Sequence, residues 1–133
     1  MKKLFVLTTV LALVACGGKE KTTTEETTAT PEVSEGVVAN LTPEEQLGQE
    51  IFDGKGNCYT CHKPDAQAIG PSIKAIAKIY KEQKADMVTF LKGEGKPIVK
   101  PEQYEVMKTN FYLTKTFSDE ELKAIEAYMH TYK

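Results

Sequence analysis

The apolar positions form one continuous block followed by several spaced stripes, and the two arrangements mark different parts of the chain. Leu4 to Val14 is a nearly unbroken apolar run. From Gly17 to about Asn40 the residues are mostly Thr, Glu, Lys, Gly and Ala, with almost nothing apolar before Val33. From Leu41 onward, apolar residues recur at intervals of three and four, the period of a helix with one buried face. No stretch alternates with period two for long enough to predict a sheet. The folded part is therefore expected to be all-α, with four or so short helices and long loops.

The first helix is predicted at Leu41-Thr42-Pro43-Glu44-Glu45. Thr42 suits the N-cap, Pro43 the first helical position, and Glu45 completes a capping box. Leu47, Ile51 and Phe52 then share a face, with Gly48 beside Leu47 and Phe52. A glycine there weakens a helix by roughly 1 kcal/mol relative to alanine, and such a glycine usually permits another backbone to approach. Asp53 to Asn57 are turn residues that end the helix. A second helix is predicted from Ser72 to about Lys81, with Ile73, Ile76, Ala77 and Tyr80 inward. A short third runs from Asp86, with Met87, Phe90 and Leu91 inward, and closes at Gly93. Gly95, Pro97 and Pro101 make the next stretch a loop with room for one helical turn after Pro101. The last helix carries the strongest signature. Ser118 caps it, Asp119, Glu120 and Glu121 favour its positive first turn, and Ser118 with Glu121 forms a second capping box. Leu122, Ile125, Tyr128, Met129 and Tyr132 make its apolar stripe.

At 133 residues and 41% hydrophobic, the chain has room for one small domain plus appendages. All 17 basic residues are lysines, set against 19 acids, with no basic patch, so nucleic acid is not an expected partner. Lys2 and Lys3 precede the apolar block, which has signal-peptide length and is too short for a permanent membrane span. Residues 1–15 are read as a signal peptide. The run Leu13-Val14-Ala15-Cys16-Gly17 resembles a bacterial lipobox, and that resemblance implies cleavage before Cys16 and its lipidation. The alternative is an ordinary cleaved signal with Cys16 left as a spare thiol. Residues 16–40 would then be a disordered Thr/Glu-rich tether, unable to bury enough surface to offset ordering. Residues 41–133 are the folded domain. Four short helices make a thin core, and something large and apolar at the centre would complete it. Export also brings the chain into an oxidising compartment, where paired cysteines can form a disulfide.

The densest chemistry lies in Cys58-Tyr59-Thr60-Cys61-His62. Two thiols on one turn can reach two substituents of a planar ring, and a histidine directly after the second is placed to bind iron beneath it. CxxCH is a haem-attachment pattern. Three other chemistries use a similar pattern. A structural disulfide does not require His62. A thioredoxin-like redox pair needs a strand before Cys58, and none is predicted. Zinc needs a fourth ligand, and the only other histidine, His130, falls on the expected solvent side of the last helix. A haem iron bound by His62 has a sixth position, for which Met87, Met107, Met129 and His130 are candidates. Met87 and Met129 sit in helical stripes, where methionine is more often core filling. Met107 follows the proline-punctuated loop, outside any long helix, and is favoured.

These residues together resemble the class I mono-haem bacterial cytochrome c family over Leu41 to Lys133. The elements come in the family's order: Gly48 and Phe52 on the first helix, the CxxCH run, Gly70-Pro71, Met107 after a loop, and Tyr128 on the last helix. The resemblance implies one covalent haem c on Cys58 and Cys61, axial iron ligands His62 and Met107, and a Pro71 carbonyl that orients His62. It also implies that the first and last helices cross at Gly48, near Tyr128. Many members carry proline directly after the ligand methionine, where this chain has Lys108. The lipobox and tether resemble membrane-anchored members, with the domain facing the periplasm or the outer surface.

The expected function is single-electron transfer between redox protein partners at a membrane, by an electron carrier and not an enzyme, with no small-molecule substrate. The alternative is a five-coordinate haem protein that binds or senses a gas. The cytochrome c′ type of sensor carries its motif near the end of a four-helix bundle, whereas here a long segment follows His62. From Leu41 onward, 13 lysines face 14 acids, which gives docking no strong preference of sign.

Overall fold

The computed structural model describes residues 40–133; the signal segment, Cys16 and the tether lie outside the described residues. Six α-helices follow in order: α1 (Pro43–Asp53), α2 (Ile73–Gln83), α3 (Met87–Leu91), α4 (Tyr104–Lys108), α5 (Phe111–Thr114) and α6 (Asp119–Met129). Single 3₁₀ turns occupy Cys58–Thr60 and Pro101–Gln103. Among the described residues the only β-type pairing is an isolated bridge between His62 and Gln67, so the domain is all-α. None of these helices is long and apolar enough to cross a membrane.

The helix starts form where local chemistry supplies partners for the orphan N–H groups. Thr42 accepts from the Glu45 amide while the Glu45 carboxylate accepts from the Thr42 amide at 2.7 Å. Ser118 and Glu121 repeat that reciprocal pair at the head of α6. Ser72 caps α2, and Asp86 caps α3 by accepting from the Thr89 amide at 3.0 Å. The expected single turn after Pro101 proves longer. The 3₁₀ turn runs directly into α4, and α5 follows after a short break, which raises the helix count from about four to six.

The fold closes where α1 crosses α6. A Cβ at Gly48 would fall far inside van der Waals contact with the Ala124 carbonyl oxygen and lie 2.8 Å from Tyr128 Cβ. Only glycine lets the two backbones approach this far. Around the crossing, Ile51, Phe52, Leu122, Ile125 and Tyr128 are almost fully enclosed, with the Phe52 and Tyr128 rings edge to face at 5.5 Å. Leu47, expected on this face, is instead 41% exposed. The glycine brings α6 so close that its neighbour is left on the shoulder of the contact. Lys55 pairs with Glu121 and Lys92 with Asp119, which ties the head of α6 to two other segments.

Candidate functional site

α1 ends at Gly54, and the turn that follows delivers the cysteine run. Asn57 takes a left-handed conformation (φ 49°), which starts the 3₁₀ turn carrying Cys58 to Thr60. The Cys61 and His62 amides both donate to the Cys58 carbonyl, at 3.1 and 3.0 Å. This winding brings Cys58, Cys61 and His62 to the wall of one cavity. The two thiols are free, with no disulfide between them. Burial pushes the Cys58 thiol up to about 11, the opposite of the depressed value an exchanging CxxC pair needs. The motif also follows a helix rather than a strand, which removes the thioredoxin-like setting. No cluster of three or more His, Cys, Asp or Glu side chains suited to a metal occurs among the described residues.

His62 is positioned from behind. Its Nδ1 lies 2.8 Å from the Pro71 carbonyl oxygen. A carbonyl can only accept, so Nδ1 carries the proton and Nε2 keeps its lone pair. Burial lowers the basicity of the ring, while the Pro71 carbonyl opposes that shift. Gly70 makes room for the ring: a Cβ there would stand 2.6 Å from His62 Cε1 and 2.9 Å from Nδ1. Gly70 in turn donates to the Cys61 carbonyl at 2.9 Å, locking the loop to the motif it supports. The packing demand at Gly70 lay outside the sequence reading, where this residue was only the first half of a Gly-Pro pair.

The rest of the wall is largely apolar. Phe52, Ile76, Leu91 and Ile125 contribute from four helices, with Phe90 and Val99 beside them. Three methionines reach the same cavity. Met87 and Met129 are buried, 2% and 5% exposed, and Met107 is half-buried. Met107, expected outside any long helix, sits in the five-residue helix α4. Asn110 Nδ2 donates to its carbonyl at 3.3 Å. His130 does not line this cavity. It caps the C-terminus of α6, half-buried, with Nε2 3.8 Å from Glu126. The sequence placed it toward solvent, but the last turn folds it against α2 at a separate small depression with Lys81 and Lys84.

The cavity offers what a planar, mostly apolar iron ring requires: two thiols, an imidazole with a bare nitrogen, thioethers, and apolar walls. One buried polar atom within the lining, Gln103 Oε1, has no hydrogen-bond partner in the polypeptide. The residues present thus fit a covalently held haem. A family model described as cytochrome c matches residues 45–133. No curated protein matches the chain.

Proposed function

The chain belongs to the cytochrome c family, and on that premise we propose that it is a class I bacterial member whose iron is bound by His62 and Met107. As a cytochrome c it carries covalent c-type haem and transfers electrons. The haem supplies an iron centre that accepts and releases one electron at a time.

The observation that carries the finer reading is the His62 Nδ1 to Pro71 contact at 2.8 Å. It fixes the ring's orientation and tautomer, leaving Nε2 as the iron-binding nitrogen. Cys58 and Cys61 hold the ring through thioether links. Met107 would offer the iron a polarisable sulfur. An iron held by both His62 and Met107 would keep no place for a substrate, which suits outer-sphere electron exchange. Phe52, Leu91 and Ile125 keep water from the ring and favour a raised potential.

Ile69 and Val106, each 61% exposed, stand at the edge of this cavity. They offer a small apolar contact for a redox protein partner, of the weak, short-lived class that electron transfer uses. Cys16 is the proposed lipid anchor, holding the domain by its tether to a bacterial envelope membrane on the periplasmic or outer side.

The ligand assignment is tested by the ferric absorption spectrum of Met107→Ala. The weak thioether-to-iron band at the red end is expected to vanish in this variant and to persist in Met87→Leu and Met129→Leu. A Met107→Ala protein that keeps the band overturns Met107 as ligand.

A further inference from the structure

Lys100, Gln103, Tyr104 and Met107 all line the cavity. Their spacing is that of one helical face, and the 3₁₀ turn Pro101–Gln103 followed by α4 supplies the winding. Lys100 is the N-cap of this turn and Gln103 its last residue, and both reach the cavity wall. The turn is closed by the Gln103 amide donating to the Lys100 carbonyl at 2.9 Å. Along this face Gln103 lies about 6 Å from Met107 and Lys100 about 10 Å or more. The face therefore runs from the proposed ligand out to a polar end.

That end has unmet hydrogen-bonding capacity. Lys100 Nζ donates to Gln67 Oε1 at 2.7 Å, which uses one of its three N–H groups. Gln103 Oε1 is buried and accepts nothing, and such an atom in a native interior calls for an explanation. Three other polar groups of the wall are engaged locally: Asn110 to the Met107 carbonyl, Thr114 to the Leu91 carbonyl, His62 to Pro71. A half-turn of the Gln103 amide exchanges oxygen for NH₂ at the buried position. The side chain then presents a donor to the cavity that Lys100 also lines.

The charged substituents of a haem are its two carboxylates, carried on the rim away from the iron. We propose that Lys100 and Gln103 form the seat of a haem carboxylate, with the Gln103 amide and the Lys100 ammonium donating to its oxygens. The inference rests on the cytochrome reading, and it makes Gln103 a positioning residue that acts on the iron only through the ring. Charge-assisted donors of this kind offset the carboxylate's negative charge. Their loss leaves that charge less compensated, which favours ferric over ferrous iron and lowers the midpoint potential.

The test uses the haem-loaded protein with Gln103→Leu and Lys100→Met, compared by potentiometry and by the carboxylate-side-chain bending mode in resonance Raman. Both variants are expected to shift the midpoint potential downward and the bending mode to lower frequency, while the ferric thioether-to-iron band stays in place. Should Gln103→Leu fail to mature, Gln103→Asn withdraws the amide by one methylene while remaining polar, and the same two shifts are expected. A bending mode unmoved in the Gln103 variant overturns the proposal even if the potential changes. So does a variant in which the thioether-to-iron band moves and the bending mode does not, since Gln103 then acts on Met107. Neither result touches the ligand assignment, which stands or falls with Met107→Ala.

Discussion

The Pro71 carbonyl oxygen stands 2.8 Å from Nδ1 of His62, and this contact decides which face of the imidazole is chemically available. With Nδ1 committed as donor, the ring cannot swap tautomers without losing the bond. Gly70 adds a steric counterpart by leaving no side chain between its own backbone and the ring. Two adjacent residues thus hold one histidine, one through a carbonyl and the other through the absence of a Cβ.

This division of labour separates two substitutions. Gly70→Ala drives a methyl group into Cε1 and Nδ1 at 2.6 and 2.9 Å. It is expected to tilt the ring, to destabilise the holoprotein by about 1–3 kcal/mol, and to change the low-spin ferric electron paramagnetic resonance signal. Pro71→Ala keeps the carbonyl and is expected to leave that signal nearly unchanged. Equal spectral effects from the two would sink the steric account.

At the crossing of α1 and α6, Gly48→Ala is expected to separate the helices, because the new methyl meets the Ala124 carbonyl and Tyr128 Cβ. The cost is about 1–3 kcal/mol, read as a lower denaturant midpoint at unchanged slope. Leu47→Ala, one position earlier and 41% exposed, is expected to have a much smaller effect.

Asp86 caps α3 through the Thr89 hydroxyl at 2.6 Å and the Thr89 amide at 3.0 Å, and these bonds hold its carboxyl below the usual range. A depressed folded-state pKa gives stability that is present above the unfolded value of about 3.9 and is lost as pH falls below it toward the folded value. Asp86→Ala is expected to cost about 1 kcal/mol at neutral pH. The gap between variant and parent should narrow in denaturant titrations taken below about pH 4. A gap that is constant with pH would show that the cap does not depend on charge.

If Cys16 carries the lipid, Cys16→Ser is expected to move the haem-stained protein from the membrane fraction to the soluble fraction without altering its absorption spectrum. Retention at the membrane would point to an anchor elsewhere.

The parts of the fold set by local chemistry were legible from the chain. Thr42 with Glu45, and Ser118 with Glu121, announce their helices because both halves of each capping box lie within four residues. The CxxCH run was equally plain, since the motif and its turn are contiguous. What stayed hidden depended on residues far apart in sequence. Leu47 matched the apolar face of α1, but how near α6 comes is set by Gly48 meeting Ala124. Met87 and Met129 matched core stripes and proved to be cavity wall as well, because one stripe can face both the core and the cavity it encloses. His130 read as a solvent residue, since nothing local shows that the last turn of α6 folds against α2. The segment after Pro101 gave too little periodicity to separate a single turn from two short helices.

The pairing of α1 with α6 also orders events in time. These are the first and last elements of the domain, so their contact closes almost the whole length of the folded chain into one loop, the slowest kind of contact to form. In the closed domain Cys58 is partly buried and its thiol is pushed up to about 11, a poor nucleophile at neutral pH. The open chain lacks that burial, so closing the two helices lowers the reactivity of the sulfur.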